Sequence, residues 1–165
     1  MKSWKDELFN LRDTPALYEL PNLSFCIHAL SNEVARTKFP DFKLLPAVFF
    51  GKMKSIACCE CLPSGREIVL INSVLNSPST PREVIEAIVI HEFLHFVIKP
   101  REVDGKLKAH PPEFFVREQE ISPNINLTWG WFQTMFLSDL VRDKKRERTT
   151  LKNLRKRHAS REYIS

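Results

Sequence analysis

Hydrophobic positions recur along the chain with two periods, near 3.6 and near 2, and these predict its elements. The most apolar segment runs through Val84, Ile85, Ile88, Val89, Phe93, Leu94, Val97 and Ile98. Those positions leave almost no polar face, which predicts a helix buried nearly all round. Ser79-Thr80-Pro81-Arg82-Glu83 leads into it. That order predicts an N-cap at Thr80, proline in the first helical position and Glu83 closing a capping box. Pro100 predicts its end. Upstream, Leu23, Phe25, Ile27, Leu30, Val34 and Phe39 predict a helix between Asn22 and Phe39. Trp4, Leu8, Phe9 and Leu11 after Ser3 predict a short amphipathic helix, and Pro15 and Pro21 frame a linker.

Residues 40–46 read as a loop. Three period-2 segments follow, 47–53, 56–62 and 66–72, and Leu62-Pro63-Ser64-Gly65 is a turn by composition. The last two segments are therefore expected to form a hairpin. Beyond the apolar helix, Asp104-Gly105 predicts a turn, and Pro111-Pro112 open a helix over 113–121 with Phe114 and Phe115 in the core. Ser122-Pro123-Asn124 breaks it, and the aromatic-rich stretch 127–137 leads into a long helix. The expected fold is α+β: a small antiparallel sheet packed on the buried helix, followed by a helical, basic C-terminal tail. Residues 1–140 are expected to form one domain and 141–165 the tail.

Composition narrows the class. A chain of 165 residues, 43% hydrophobic and 27% charged, suits one globular domain. The N-terminus MKSWKDELFNLRDTP has no apolar run of signal-peptide type, and no apolar run is long enough for a bilayer. A cytoplasmic protein is expected, or a nuclear one in a eukaryote, with no secretion and no membrane partner. Nothing in the sequence fixes an oligomeric state. Net charge is +5, but residues 141–165 hold ten Lys/Arg against three acids, a local +7 that leaves −2 for the rest. Lys144, Lys145, Arg146, Arg148, Lys152, Arg155, Lys156 and Arg157 make the tail a candidate phosphate-contacting arm. Its alternative is a solvated charged face. Trp129, Trp131 and Phe132 can stack on bases, although core packing accounts for such aromatics more often. Cys58-Cys59-Glu60-Cys61 invites a second metal site, but neighbours on a strand point to opposite faces. Small buried strand residues are the expected reading.

The candidate chemistry lies in the apolar helix, as His91-Glu92-x-x-His95. Residues i and i+4 share a helix face with Cβ atoms roughly 5–6 Å apart, so two imidazoles at that spacing can reach one Zn²⁺ at about 2.0–2.1 Å. Glu92 lies about 100° round the helix from His91. It flanks the metal, where it can take a proton from an activated water. A His-Glu pair in so apolar a helix is costly to bury without partners, and a metal removes that cost. The metzincin pattern needs Gly and His at 98 and 101, where Ile98 and Arg101 stand. The third ligand is expected to be His110, just outside the helix opened by Pro111 and Pro112. Glu113, Glu118 and Glu120 remain carboxylate alternatives. His28 is expected at the surface. Mn²⁺ or Co²⁺ can replace Zn²⁺ in such a ligand set in vitro.

HEFLH, fourteen residues, then HPPEF resembles the SprT-like (Spartan-type) zinc metallopeptidases. The segment GREIVLINSVLNSPSTPREVIEAIVIHEFLH is similar to that family's strand, leader segment and active-site helix. The resemblance is clear over about residues 66–118 and weak from about 23. It implies a zincin-like fold, His91, His95 and His110 as zinc ligands, and Glu92 as the catalytic glutamate. It also implies hydrolysis of peptide bonds in protein substrates, with DNA-associated or DNA-crosslinked proteins as the substrate class. An edge strand beside the cleft would then hold the substrate in extended form. Two features depart from the family: Pro111 replaces a glycine, and no cysteine follows Cys61 to build a zinc ribbon. Tyr18, Tyr163 and the arginines are equal candidates for stabilising the oxyanion. The alternative function is a nucleic-acid-binding protein whose zinc is structural or catalytically latent. A metal-free core His-Glu-His is the plainest alternative.

Overall fold

A computed structural model describes residues 20–136 of the chain, apart from 54 and 123. The chain divides into two compact units, Met1–Lys99 and Pro100–Ser165. The expected helix near the N-terminus and the basic tail, with the boundary at 140/141, lie outside the described residues.

Among the described residues, the first unit holds a three-stranded sheet and two helices. Helix α1 (Ile27–Lys38) is followed by strands β1 (Ala47–Gly51), β2 (Ala57–Cys61) and β3 (Glu67–Asn72) and a 3₁₀ turn (Ser73–Leu75), then by helix α2 (Arg82–Val97). The segments expected between Asn22 and Ile98 are all present, each shortened at one end or both. The expected antiparallel sheet is instead mixed. Its order is β1-β3-β2, with β3 antiparallel to β2 and parallel to β1. The reason lies in β3, whose Ile68, Val69, Leu70 and Ile71 are all buried. A strand apolar on both faces belongs at the centre of a sheet, so β1 and β2 take its two sides. The β2–β3 hairpin turns as expected. Gly65 sits at φ +80, its N–H donates to the Leu62 carbonyl, and Leu62 N–H donates to the Arg66 carbonyl.

The register sorts the side chains, because directly paired residues share a face. Val48 and Phe50 of β1, Val69 and Ile71 of β3, and Ala57 and Cys59 of β2 lie on one face. Ala47, Phe49, Ile68, Leu70, Cys58 and Glu60 lie on the other. Helix α2 packs against β2 and β3, and α1 packs against α2 and β1. A set of phenyl rings holds the last turns of α2: Phe93 meets Phe39 at 5.7 Å and Phe42 at 5.5 Å, both edge-on, and Phe39 stacks on Phe42 at 5.2 Å. Such pairs each contribute about 0.5–1.5 kcal/mol beyond area burial. The Arg82–Glu33 pair at 2.8 Å also joins α1 to α2, but both side chains are well exposed and its contribution is small.

The start of α2 departs from the expected capping box. Pro81, not Thr80, is the N-cap, and its carbonyl accepts from Val84 and Ile85 N–H. The Thr80 hydroxyl is buried and donates to the Leu75 carbonyl at 2.9 Å. An orphan acceptor at the end of the 3₁₀ turn thus claims the group that would otherwise cap the helix. The cysteine strand also differs from expectation: Cys58 and Cys59 are half-buried and Cys61 is exposed, because β2 is a sheet edge.

The second unit begins with a two-stranded ribbon that the hydrophobic pattern did not predict. Strands β4 (Arg101–Val103) and β5 (Lys106–Lys108) pair antiparallel around Asp104-Gly105. Both turn residues have positive φ, 53 and 71, the twist that suits a two-residue hairpin. Only Val103 and Leu107 in these strands are apolar, so no period-2 pattern marks them. Helices α3 (Pro112–Ile121) and α4 (Ile125–Trp131) follow, and a π-helical turn (Phe132–Phe136) extends α4. Phe114, Trp129 and Phe132 are buried, so the last two serve as core. The fold is α+β, and among the described residues no helix is long and apolar enough to cross a membrane.

Asn72 ties the first unit together at the end of β3. Its side-chain amide donates to the Met53 and Ser55 carbonyls, each at 2.9 Å, and its carbonyl oxygen accepts from Val74 N–H at 3.0 Å. The residue is buried. Asn72→Ala strands these groups and should destabilise the protein by about 2–4 kcal/mol. In urea unfolding the midpoint should fall with an unchanged m-value. A loss below about 0.5 kcal/mol would mean that water replaces all three bonds.

Candidate metal centre

His91 and His95 occupy successive turns of α2 on one face, with ring centroids 5.1 Å apart and planes at 78°. They project alike because helical side chains at i and i+4 stack. His91 is buried and His95 half-buried. His110 precedes Pro111, the N-cap of α3, and Pro112 occupies the first helical turn. Two rings fix the His110 imidazole: Phe114 meets it edge-on at 4.8 Å, and Phe115 lies nearly parallel at 5.9 Å. Phe114 is fully buried, so this side of the histidine is rigid. Pro111 has an extended backbone (φ −68, ψ 164) that proline adopts without strain.

One ring nitrogen from each of His91, His95 and His110 lies within 4.8 Å of the other two. Nitrogens bound tetrahedrally to one ion at about 2.0–2.1 Å are about 3.4 Å apart. Small rotations of the imidazoles cover the difference, so this donor set can hold a metal ion. The carboxylates considered as third ligands are placed otherwise. Glu113 pairs with Arg101 at 2.7 Å and Glu120 with Arg117 at 2.9 Å. Glu118 is buried in α3 and is not part of the histidine group. His28 is exposed on α1, as expected.

Glu92 is buried, between the two histidines in sequence. A partner absent from the sequence reading meets it. The Cys59 thiol, on the helix-facing side of β2, hydrogen-bonds to the Glu92 side chain. Burial first, and the Glu92 charge next, push this thiol up to about 12 from an ordinary 9.0. At neutral pH it is S–H, the donor, and the carboxylate accepts. Period-2 alternation alone could place Cys59 on one face of β2, but not opposite a particular residue of α2.

The eight basic residues proposed for phosphate contact, Lys144, Lys145, Arg146, Arg148, Lys152, Arg155, Lys156 and Arg157, lie outside the described residues, as do Tyr18 and Tyr163. No protein-family model, curated protein or solved structure matches the chain.

Two outcomes are expected. Elemental analysis should find about one metal ion per chain, lost or much reduced in His110→Ala and kept in Glu113→Ala. Retention in the first variant would take His110 out of the ligand set. In metal-free protein at pH 8, iodoacetamide should label the exposed Cys26 and Cys61 first and Cys59 last. A thiol raised from 9.0 to about 12 holds roughly a thousandfold less thiolate. Because the folded protein keeps Cys59 protonated where the unfolded chain does not, this group's stabilising contribution is full below pH 9.0 and fades as pH rises towards about 12.

Proposed function

We propose that the chain is a zinc-dependent peptidase of zincin-like architecture. The observation that carries the proposal is the pairing of a three-histidine group with a buried glutamate on the helix that holds two of the histidines. Three neutral imidazoles leave a fourth tetrahedral position open, the arrangement of catalytic rather than structural zinc sites. Zinc held by these residues would supply Lewis acidity, lowering the pKa of water towards about 7 and polarising a carbonyl. The chain's own residues do the rest. His91, His95 and His110 fix the geometry. Glu92 accepts the proton of the attacking water and returns it to the leaving amine. Its burial keeps bulk water from competing for that proton.

The sheet supports the same reading. Among the described strands, β2 pairs with β3 alone and forms one edge of the sheet. It lies on α2, the helix that carries Glu92. An extended substrate segment can add there as a further strand, with main-chain hydrogen bonds giving affinity and alternate side chains giving preference. The resemblance to SprT-like peptidases adds DNA-bound or DNA-crosslinked proteins as the substrate class, with residues 141–165 as the DNA contact. Glu92→Gln should keep its zinc and lose peptidase activity by at least about 10²-fold, the scale of a removed general base. The assay is cleavage of an unstructured protein substrate with and without single-stranded DNA. Full activity in the variant would overturn the mechanism. Cleavage that ignores DNA would remove only the DNA-linked part.

A further inference from the structure

We propose that Cys59 is a positioning residue for Glu92: from the edge strand its thiol donates a hydrogen bond that holds the carboxylate in one orientation. The inference rests on the peptidase reading and concerns the same site.

Two observations carry it. The first is register. Cys59 pairs with Val69 at the middle of β2, on the face shared by Ala57, Val48 and Ile71. Cys58 and Glu60 point to the opposite face, so of the central three residues of β2 Cys59 alone is aimed at the helix-packed side. The second is the hydrogen bond itself between Cys59 and Glu92.

The donor type has a consequence for the chemistry. A carboxylate that works as a base must hold its direction and keep its proton affinity. An arginine or lysine partner would fix the direction, but its charge would also depress the basicity. A thiol is a weak, uncharged donor. It restricts the rotamer and takes little from the proton affinity. It also fits a half-buried strand position, where thiols pack as small apolar groups. Burial and the facing carboxylate keep it protonated, so it stays a donor across the neutral range. Supporting hydrogen bonds of this kind change activity by about 10–100-fold when removed.

The test compares Cys59→Ala with Cys59→Ser in the zinc-loaded full chain. Cys59→Ala should lower kcat about tenfold with KM and zinc content unchanged. Cys59→Ser, which keeps a donor of nearly the same size, should recover most of the loss. Full kcat in Cys59→Ala, equal impairment in both variants, or a change confined to KM would each overturn the positioning role. A second readout needs no activity. The infrared S–H stretch of Cys59, identified by its loss in Cys59→Ser, should move to higher frequency in Glu92→Gln, where a neutral amide replaces the carboxylate acceptor. A band that does not move overturns the hydrogen bond. If the band moves but wild-type protein cleaves nothing, the peptidase reading falls, and the bond is then structural and positions no base. If wild-type protein cleaves and the Cys59 arms fail, the peptidase reading stands and only the positioning role is lost.

Discussion

Burying a histidine and a glutamate side by side in a helix segment that is otherwise apolar costs several kcal/mol unless each finds a partner. Helix α2 is that helix, and much of the structure around it answers this demand. Its N-terminal turns hold Val84, Ile85, Ala87, Ile88 and Val89 in the core. Phe39, Phe42 and Phe96 gather around Phe93 near its end. Those contacts set the rotation of the helix about its axis. Once the rotation is set, His91 and His95 share a face and Glu92 falls beside them. The polar residues are thus aimed by the apolar ones.

The sheet then decides what Glu92 meets. A strand as apolar as β3 takes the centre and draws β1 alongside in parallel. Strand β2 is left at the edge, in register through its hairpin with Gly65 at φ +80. Within that register only every second residue of β2 looks towards α2, and the central one is Cys59. Asn72, at the end of β3, fastens the chain between β1 and β2 through the Met53 and Ser55 carbonyls. This link steadies the strand that carries the thiol.

His110 depends on different physics. It belongs to no helix or strand, so its placement comes from the elements on either side. Before it, Asp104-Gly105 closes a short ribbon with a twist that only a left-handed pair of residues supplies. After it, Pro111 and Pro112 allow a narrow range of φ and start α3 without needing N–H partners. Phe114 and Phe115 then clasp the ring. The Arg101–Glu113 pair draws off the carboxylate nearest in sequence. A stiff setting of prolines and phenyl rings thus limits where the imidazole can point.

The sequence by itself determined the elements whose signals are local. The continuous apolar run produced α2, alternation produced three strands, and Asp-Gly and Pro-Pro marked the turns that bracket His110. It also determined the histidines that come together, because i,i+4 spacing on a helix is geometry that no tertiary contact can change. Competition between distant groups was invisible to it. Thr80 was legible as a cap, yet the Leu75 carbonyl claims its hydroxyl. The strands read as antiparallel neighbours, yet two-sided burial of β3 rearranged their order. The ribbon at 101–108 lacked an apolar pattern because both its strands are largely exposed. Cys59 read as a filler of the core, and only the packing of an edge strand on α2 made it the partner of Glu92. Local spacing is written in the order of residues; which polar group meets which is settled by burial, where each donor and acceptor must be satisfied by whatever the fold has placed within reach.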